Sequence, residues 1–93
     1  MKHATSAALD RLEVLLGELR KIDGLKEKSR GVFYRGSRAF LHFHEHGNEL
    51  FADIRQRDEF VRLPVTGGGE RTRLLRAVKS ALSAAKKNAG RTG

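Results

Sequence analysis

Within residues 38–55, positions 41–44 and 52–55 alternate apolar and polar side chains with a period of two, on either side of Gly47-Asn48. Few backbones accept that pattern. It calls for a β-hairpin with one aliphatic face and one polar face, because successive strand side chains point to opposite sides. Gly47-Asn48 suits a two-residue primed turn. Such a turn sets His46 against Glu49, His44 against Phe51, Phe43 against Ala52, His42 against Asp53 and Leu41 against Ile54. A one-residue slip would exchange the faces, so the register is a specific expectation.

The flanking segments extend this hairpin. Val32-Phe33-Tyr34-Arg35 is a strand by its β-branched and aromatic content. Gly36-Ser37 joins it to the hairpin and sets Arg35 against Arg38, Tyr34 against Ala39 and Phe33 against Phe40. Arg57-Asp58 is a polar turn, and residues 59–65 form a fourth strand in which Pro64 marks an edge or an end. Ahead of the sheet, Thr5 or Ser6 can cap a helix whose Leu9, Leu12, Leu16, Leu19 and Ile22 recur at helical spacing, with Leu15 widening the stripe. Asp23-Gly24 stops it. Gly17 inside it either allows close packing or is a flexible defect. Residues 26–30 read as a polar connector in water. After the sheet, Thr66-Gly67-Gly68-Gly69 reads as a flexible linker before a second helix from Glu70. Leu74, Leu75, Val78, Ala81, Leu82 and Ala85 make its apolar stripe, with Arg73, Arg76, Lys79 and Ser83 opposite. Lys86 and Lys87 complement its dipole near the C-terminal end.

The expected fold is therefore α+β, a single domain over residues 1–93: an N-terminal helix, a four-stranded antiparallel meander sheet and a C-terminal helix. Residues 1–5 and 89–93 are expected to be disordered. Alternation sorts the sheet into two faces. One carries Val32, Tyr34, Ala39, Leu41, Phe43, Leu50, Ala52, Ile54, Val61, Leu63 and Val65, the natural core against helices. The other carries Phe33, Phe40, His42, His44, Phe51, Asp53, Arg55, Phe60 and Arg62, including four of the five phenylalanines.

Charge narrows the function. Nineteen Lys and Arg stand against eleven Asp and Glu, a net charge of +8. That excess favours an anionic partner: nucleic acid first, then an acidic protein or a membrane surface. With no cysteine, disulfides and thiolate metal sites are excluded. No apolar run approaches the roughly 20 residues of a membrane span. Lys2 and His3 are not followed by the apolar stretch of a signal peptide, so a cytoplasmic protein of bacterial type is the expectation.

Three readings remain open. The first is a non-enzymatic binding module for an anionic partner. Its candidate residues are Phe33, Phe40, Phe51 and Phe60 for stacking, Arg35, Arg55 and Arg62 for phosphates, and Arg73, Arg76 and Lys79 on the final helix. The second is a metal-binding protein, zinc foremost. His42, His44 and Asp53 share one strand face, with Glu49 behind them, and imidazole and carboxylate are good ligands. Against it, strand histidines commonly pair with a carboxylate opposite. Gly36, His42, His44 and Glu49 also resemble the first motif of the cupins, but Gln56 stands where its closing glycine belongs and the strands are too few for that barrel. The third reading is that the phenylalanine face is buried, as a second core under one helix or as the joint of a homodimer, since four large rings left in water are unusual in a monomer; the chain is then a monomer or a homodimer. Asp53 orienting His42 would supply two members of a base relay, but no nucleophile accompanies them, so no catalytic residue is assigned.

Phe40-Leu41-His42-Phe43-His44-Glu45-His46-Gly47 has the form F-x-H-x-H-x-x-G. With the leucine-rich helix before it and residues 50–54 after it, this stretch resembles the small bacterial "luciferase domain" chains and, in order of elements, the YjbR-type domains. The resemblance covers residues 9–65. It implies a compact α+β fold and carries no activity; in particular it does not imply light production.

Overall fold

The aliphatic face is the one that the helices choose. In the computed structural model, residues 1–92 are described, with side chains of the last helix described as far as Ser83. β1 (Lys2–His3) leads into α1 (Ser6–Arg11) and α2 (Glu13–Arg20). β2 (Lys26–Ser29), β3 (Val32–Arg35), β4 (Arg38–His46), β5 (Glu49–Gln56) and β6 (Glu59–Pro64) follow, and α3 (Gly68–Thr92) comes last. β2 to β6 form an antiparallel meander in chain order, with β1 added against β4.

One core lies between sheet and helices. Ala8, Leu9, Leu12, Leu15, Leu16 and Leu19 of the N-terminal segment meet Leu41, Phe43, Leu50, Ala52 and Ile54 of the hairpin and Leu74 and Val78 of α3. Each large aliphatic or aromatic side chain taken out of water there contributes roughly 1.5–3 kcal/mol before entropy is charged against it. The hairpin register agrees at every pair with that expected from Gly47-Asn48. Three tight turns order the meander. Arg35 faces Arg38, His46 faces Glu49 and Gln56 faces Glu59, so each loop has two residues. The first of each pair has positive φ: Gly36 at 62°, Gly47 at 59° and Arg57 at 61°. A positive first position is the type II′ geometry that matches strand twist.

Several expectations are corrected. The sheet has six strands rather than four. Residues 26–30 are not a connector in water. β2 pairs with β3, and the Glu27 carboxylate accepts from Arg20 and from the Gly31 amide. The N-terminal helix is divided at Leu12, whose backbone sits at φ −100°, ψ 7° and whose amide donates to the Leu9 carbonyl, a tighter turn than the α-helix allows. Thr5 caps α1, its Oγ1 accepting from the Ala8 amide. Residues 1–5 are not frayed, since Lys2 and His3 form β1. The glycine run is not a linker. α3 begins at Gly68, and Glu70 turns back to accept from the Gly67 amide. α3 is helical to Thr92 where disorder was expected from residue 89; Gly93, and the side chains of Ala85, Lys86 and Lys87, lie outside the described residues.

The largest correction concerns Phe33 and Phe40. Tyr34 pairs with Ala39 as expected, but Phe33 pairs with Leu41, leaving Phe40 as the extra residue of a β-bulge. Phe33 is thereby carried to the aliphatic face and is fully buried, and Phe40 joins the same core. Both are lost to any aromatic platform on the other face.

Two glycines make opposite predictions. A Cβ at Gly17 would meet nothing within 4 Å, so Gly17→Ala should raise stability by about 0.5–1 kcal/mol. Gly31 has φ +79° and a Cβ there would come within 2.7 Å of Leu9, so Gly31→Ala should lower stability by about 1–2 kcal/mol. Denaturant midpoints of the two variants check both signs.

Candidate functional site

With the helices on the aliphatic side, no helix among the described residues packs on the histidine side of the sheet. His42 and His44 point the same way because they stand two apart on β4. β1 adds a third histidine. β3 leaves the far end of β4 unpaired, and β1 takes that edge, placing His3 opposite His44 and Lys2 opposite Glu45. Glu45 holds β1 down. Its carboxylate accepts from the Thr5 amide and the Thr5 hydroxyl, both at 2.9 Å, and Lys2 Nζ lies 3.6 Å away. These hydrogen bonds keep the Glu45 carboxyl below the usual range. The Ala4 amide donates to the Phe43 carbonyl beside it.

The result is a compact cluster. One ligating atom from each of His3, His42 and His44 lies within 4.8 Å of the others. His42 Nδ1 and His44 Nε2 are 3.1 Å apart, and the His3 and His44 rings stack at 4.7 Å between centroids. The Phe60 ring meets His42 edge-on at 4.8 Å. Asp53 lies beneath, 6 % exposed, with Oδ2 3.1 Å from His44 Nε2. Arg62 grips Asp53 with both arms of its guanidinium, at 2.7 and 2.8 Å. His44 is 8 % exposed, and its Nδ1 is buried with no hydrogen-bond partner among the described residues.

Burial, opposed by the Asp53 charge, pushes both His42 and His44 below the ordinary imidazole value. At neutral pH both rings are therefore neutral and keep a lone pair, which suits them as ligands or acceptors. The Arg62 hydrogen bonds hold Asp53 below the usual carboxylate range, against the opposing effect of burial. Its two oxygens are engaged by Arg62, so Asp53 orients a histidine rather than standing open as a ligand.

A second feature lies at the end of the sheet where the β3–β4 and β5–β6 turns meet α3. There a groove of about 820 Å³ is lined by Arg35, Arg38, Arg55 and Arg57, with Phe40, Ala77, Ser80 and Ala81 forming its wall. Arg55 is anchored, its Nε donating to the Ala39 carbonyl at 2.8 Å and its guanidinium resting 4.5 Å over the Phe60 ring. Arg38 lies 3.5 Å from Asp58. Arg35 and Arg57 have no carboxylate partner among the described residues.

The candidate residues thus separate. His42, His44 and Asp53 come together. Glu49 does not, facing His46 at the exposed turn. Arg35 and Arg55 line the groove, whereas Arg62 is committed to Asp53. Phe60, 40 % exposed, is the one prominent aromatic left on the open face, with Phe51 half-buried against Pro64. Arg73 and Arg76 are exposed on α3, and Lys79 borders a different, shallower recess with Ile22 and Asp23. His3, Arg38 and Arg57 were not expected at any site. His3 carries no local signal, since two residues cannot announce a strand. Arg57 could have been found by comparing the three turns, because glycine occupies its position in the other two.

No family model, curated protein or solved structure matches the chain.

The Asp53–Arg62 pair should show in the pH dependence of stability. A carboxyl whose folded value is depressed stabilises the fold fully above its unfolded value, about 3.9, and that contribution is lost as pH falls through the lower folded value. Asp53→Asn should cost about 1–2 kcal/mol at neutral pH, discounted because Arg62 is half exposed, and the gap from the parent should close as the pH falls below about 4. Urea unfolding across the acid range measures it.

Proposed function

We propose that the protein is a non-enzymatic binding module for an anionic polymer, with the phosphate backbone of nucleic acid as its first ligand. The observation that carries this reading is Arg57. It occupies the left-handed first position of a turn, φ 61°, where the sister turns use Gly36 and Gly47. A non-glycine residue held there costs roughly 1–2 kcal/mol. Strain of this kind is characteristic of positions kept for a task rather than for folding. Arg57 reaches the same groove as Arg35, Arg38 and Arg55. Guanidinium groups suit phosphate by geometry as well as by charge, since their planar fork pairs with two oxygens at once.

The groove also continues past its own rim. Arg55 links it to the part-exposed Phe60 ring, and exposed Arg73 and Arg76 extend the positive surface along α3. The earlier picture of four phenylalanines stacking bases is replaced by an arginine cradle with a single aromatic at its edge. The likeness of residues 40–47 to luciferase-domain and YjbR-type chains is compatible with this proposal and adds no activity to it.

Fluorescence anisotropy with mixed-sequence RNA and DNA oligonucleotides at low salt tests the reading. Binding should weaken linearly in log–log form as salt rises. Arg35→Glu should weaken it about tenfold and reduce the salt slope by about one to two. Arg57→Gly should do two things together: raise stability by about 0.5–1 kcal/mol and lower affinity. Absence of binding to either polymer at low salt overturns the proposal.

A further inference from the structure

We propose that His3, His42 and His44 form a binding site for a divalent transition metal ion of the zinc class, assembled only when β1 docks on β4. The claim is independent of the arginine groove and would stand if that reading failed.

The geometry comes first. In a tetrahedral site with metal–nitrogen distances of about 2.0–2.1 Å, neighbouring ligand atoms sit about 3.3 Å apart. His42 Nδ1 and His44 Nε2 are already 3.1 Å apart, and the His3 atom completes a set within 4.8 Å. His3 is exposed, so its ring can close the remaining gap by side-chain rotation. The three residues come from two strands held in register by backbone pairing, with His3 directly opposite His44. That rigidity places two ligands before any ion arrives.

The surroundings agree. Asp53, fixed by Arg62, stands 3.1 Å from the same His44 Nε2 that faces His42, so its negative charge lies beside the position an ion would take. One buried ring nitrogen of the cluster, His44 Nδ1, has no hydrogen-bond partner among the described residues, an unusual state for a buried polar atom. Three imidazoles and no thiolate select ions of borderline softness such as Zn²⁺, Co²⁺, Ni²⁺ or Cu²⁺ over Mg²⁺ or Ca²⁺. A set of three leaves coordination positions facing the open side of the sheet.

His46 is the internal control. It follows at the next position of the same strand face but lies exposed opposite Glu49, outside the three clustered histidines. The experiment titrates untagged protein with Zn²⁺ by calorimetry and with Co²⁺ by visible absorption, and follows histidine ring signals by NMR. One ion per chain should bind, and the ring signals of His3, His42 and His44 should shift while those of His46 stay. Exposed His3→Ala should weaken binding at least tenfold without altering the circular dichroism. His42→Ala should do the same, and His46→Ala should leave it unchanged. Glu45→Ala gives a second route: it releases β1 while keeping every ligand, and should weaken binding as His3→Ala does. Binding that survives His3→Ala unchanged, binding lost equally in His46→Ala, or no binding by the parent chain overturns the proposal.

Discussion

A chain of 93 residues has apolar material for one core, and that limit decides how the two faces of its sheet are used. All the helices draw on the same aliphatic face. Leucines of α1 and α2 take one part of it and Leu74 and Val78 of α3 another. Nothing apolar is left to cover the second face, so its side chains must tolerate water, and imidazole, carboxylate and guanidinium groups do so. The polar cluster around His44 and Asp53 is thus made possible by where the leucines went. The same limit explains how the edges of the sheet are finished: β6 presents Glu59, Arg62 and Pro64, and β2 presents Lys26 and Lys28, groups that discourage pairing with another chain.

The positive charge is not spread evenly. Asp10, Glu13 and Glu27 are drawn into a chain of ion pairs with Arg20 and Arg30 that ties α1 and α2 to β2. Most of these groups are exposed, so each pair is worth little by itself, but together they use acids at one edge of the molecule. The end where the turns after β3 and β5 meet α3 is left with four arginines and, among the described residues, Asp58 alone close to one of them. Net charge read from the sequence predicts an anionic partner; only the fold says on which end it would sit.

The strands that could be read from the sequence were those whose turn chemistry and alternation agree. Gly47-Asn48 and the period-two pattern around it specify a register, and all its pairs are realised. The bulge at Phe40 was illegible because alternation counts residues, whereas the bulge answers to volume: two large rings gain more beneath the helices than they would beside histidines in water. β2 was illegible because Lys-Glu-Lys-Ser has no strand propensity of its own; Gly31 turns it back onto β3 and Glu27 fastens it from outside. At the candidate site, His42, His44 and Asp53 were visible as neighbours on one face. Their third histidine was invisible, since its place depends on how far β3 runs along β4, a property of the whole sheet.

β1 contributes only two residues of pairing, yet it carries one of the three histidines. Segments with so few hydrogen bonds open far more readily than the rest of a domain. The apparent affinity of any ligand that needs His3 is therefore reduced by the fraction of time β1 spends docked. By reciprocity the ligand would raise that fraction, so occupancy on the open face would be reported as order at the N-terminus. A two-residue strand then behaves as a latch, and the Glu45–Thr5 hydrogen bonds set how often it is shut.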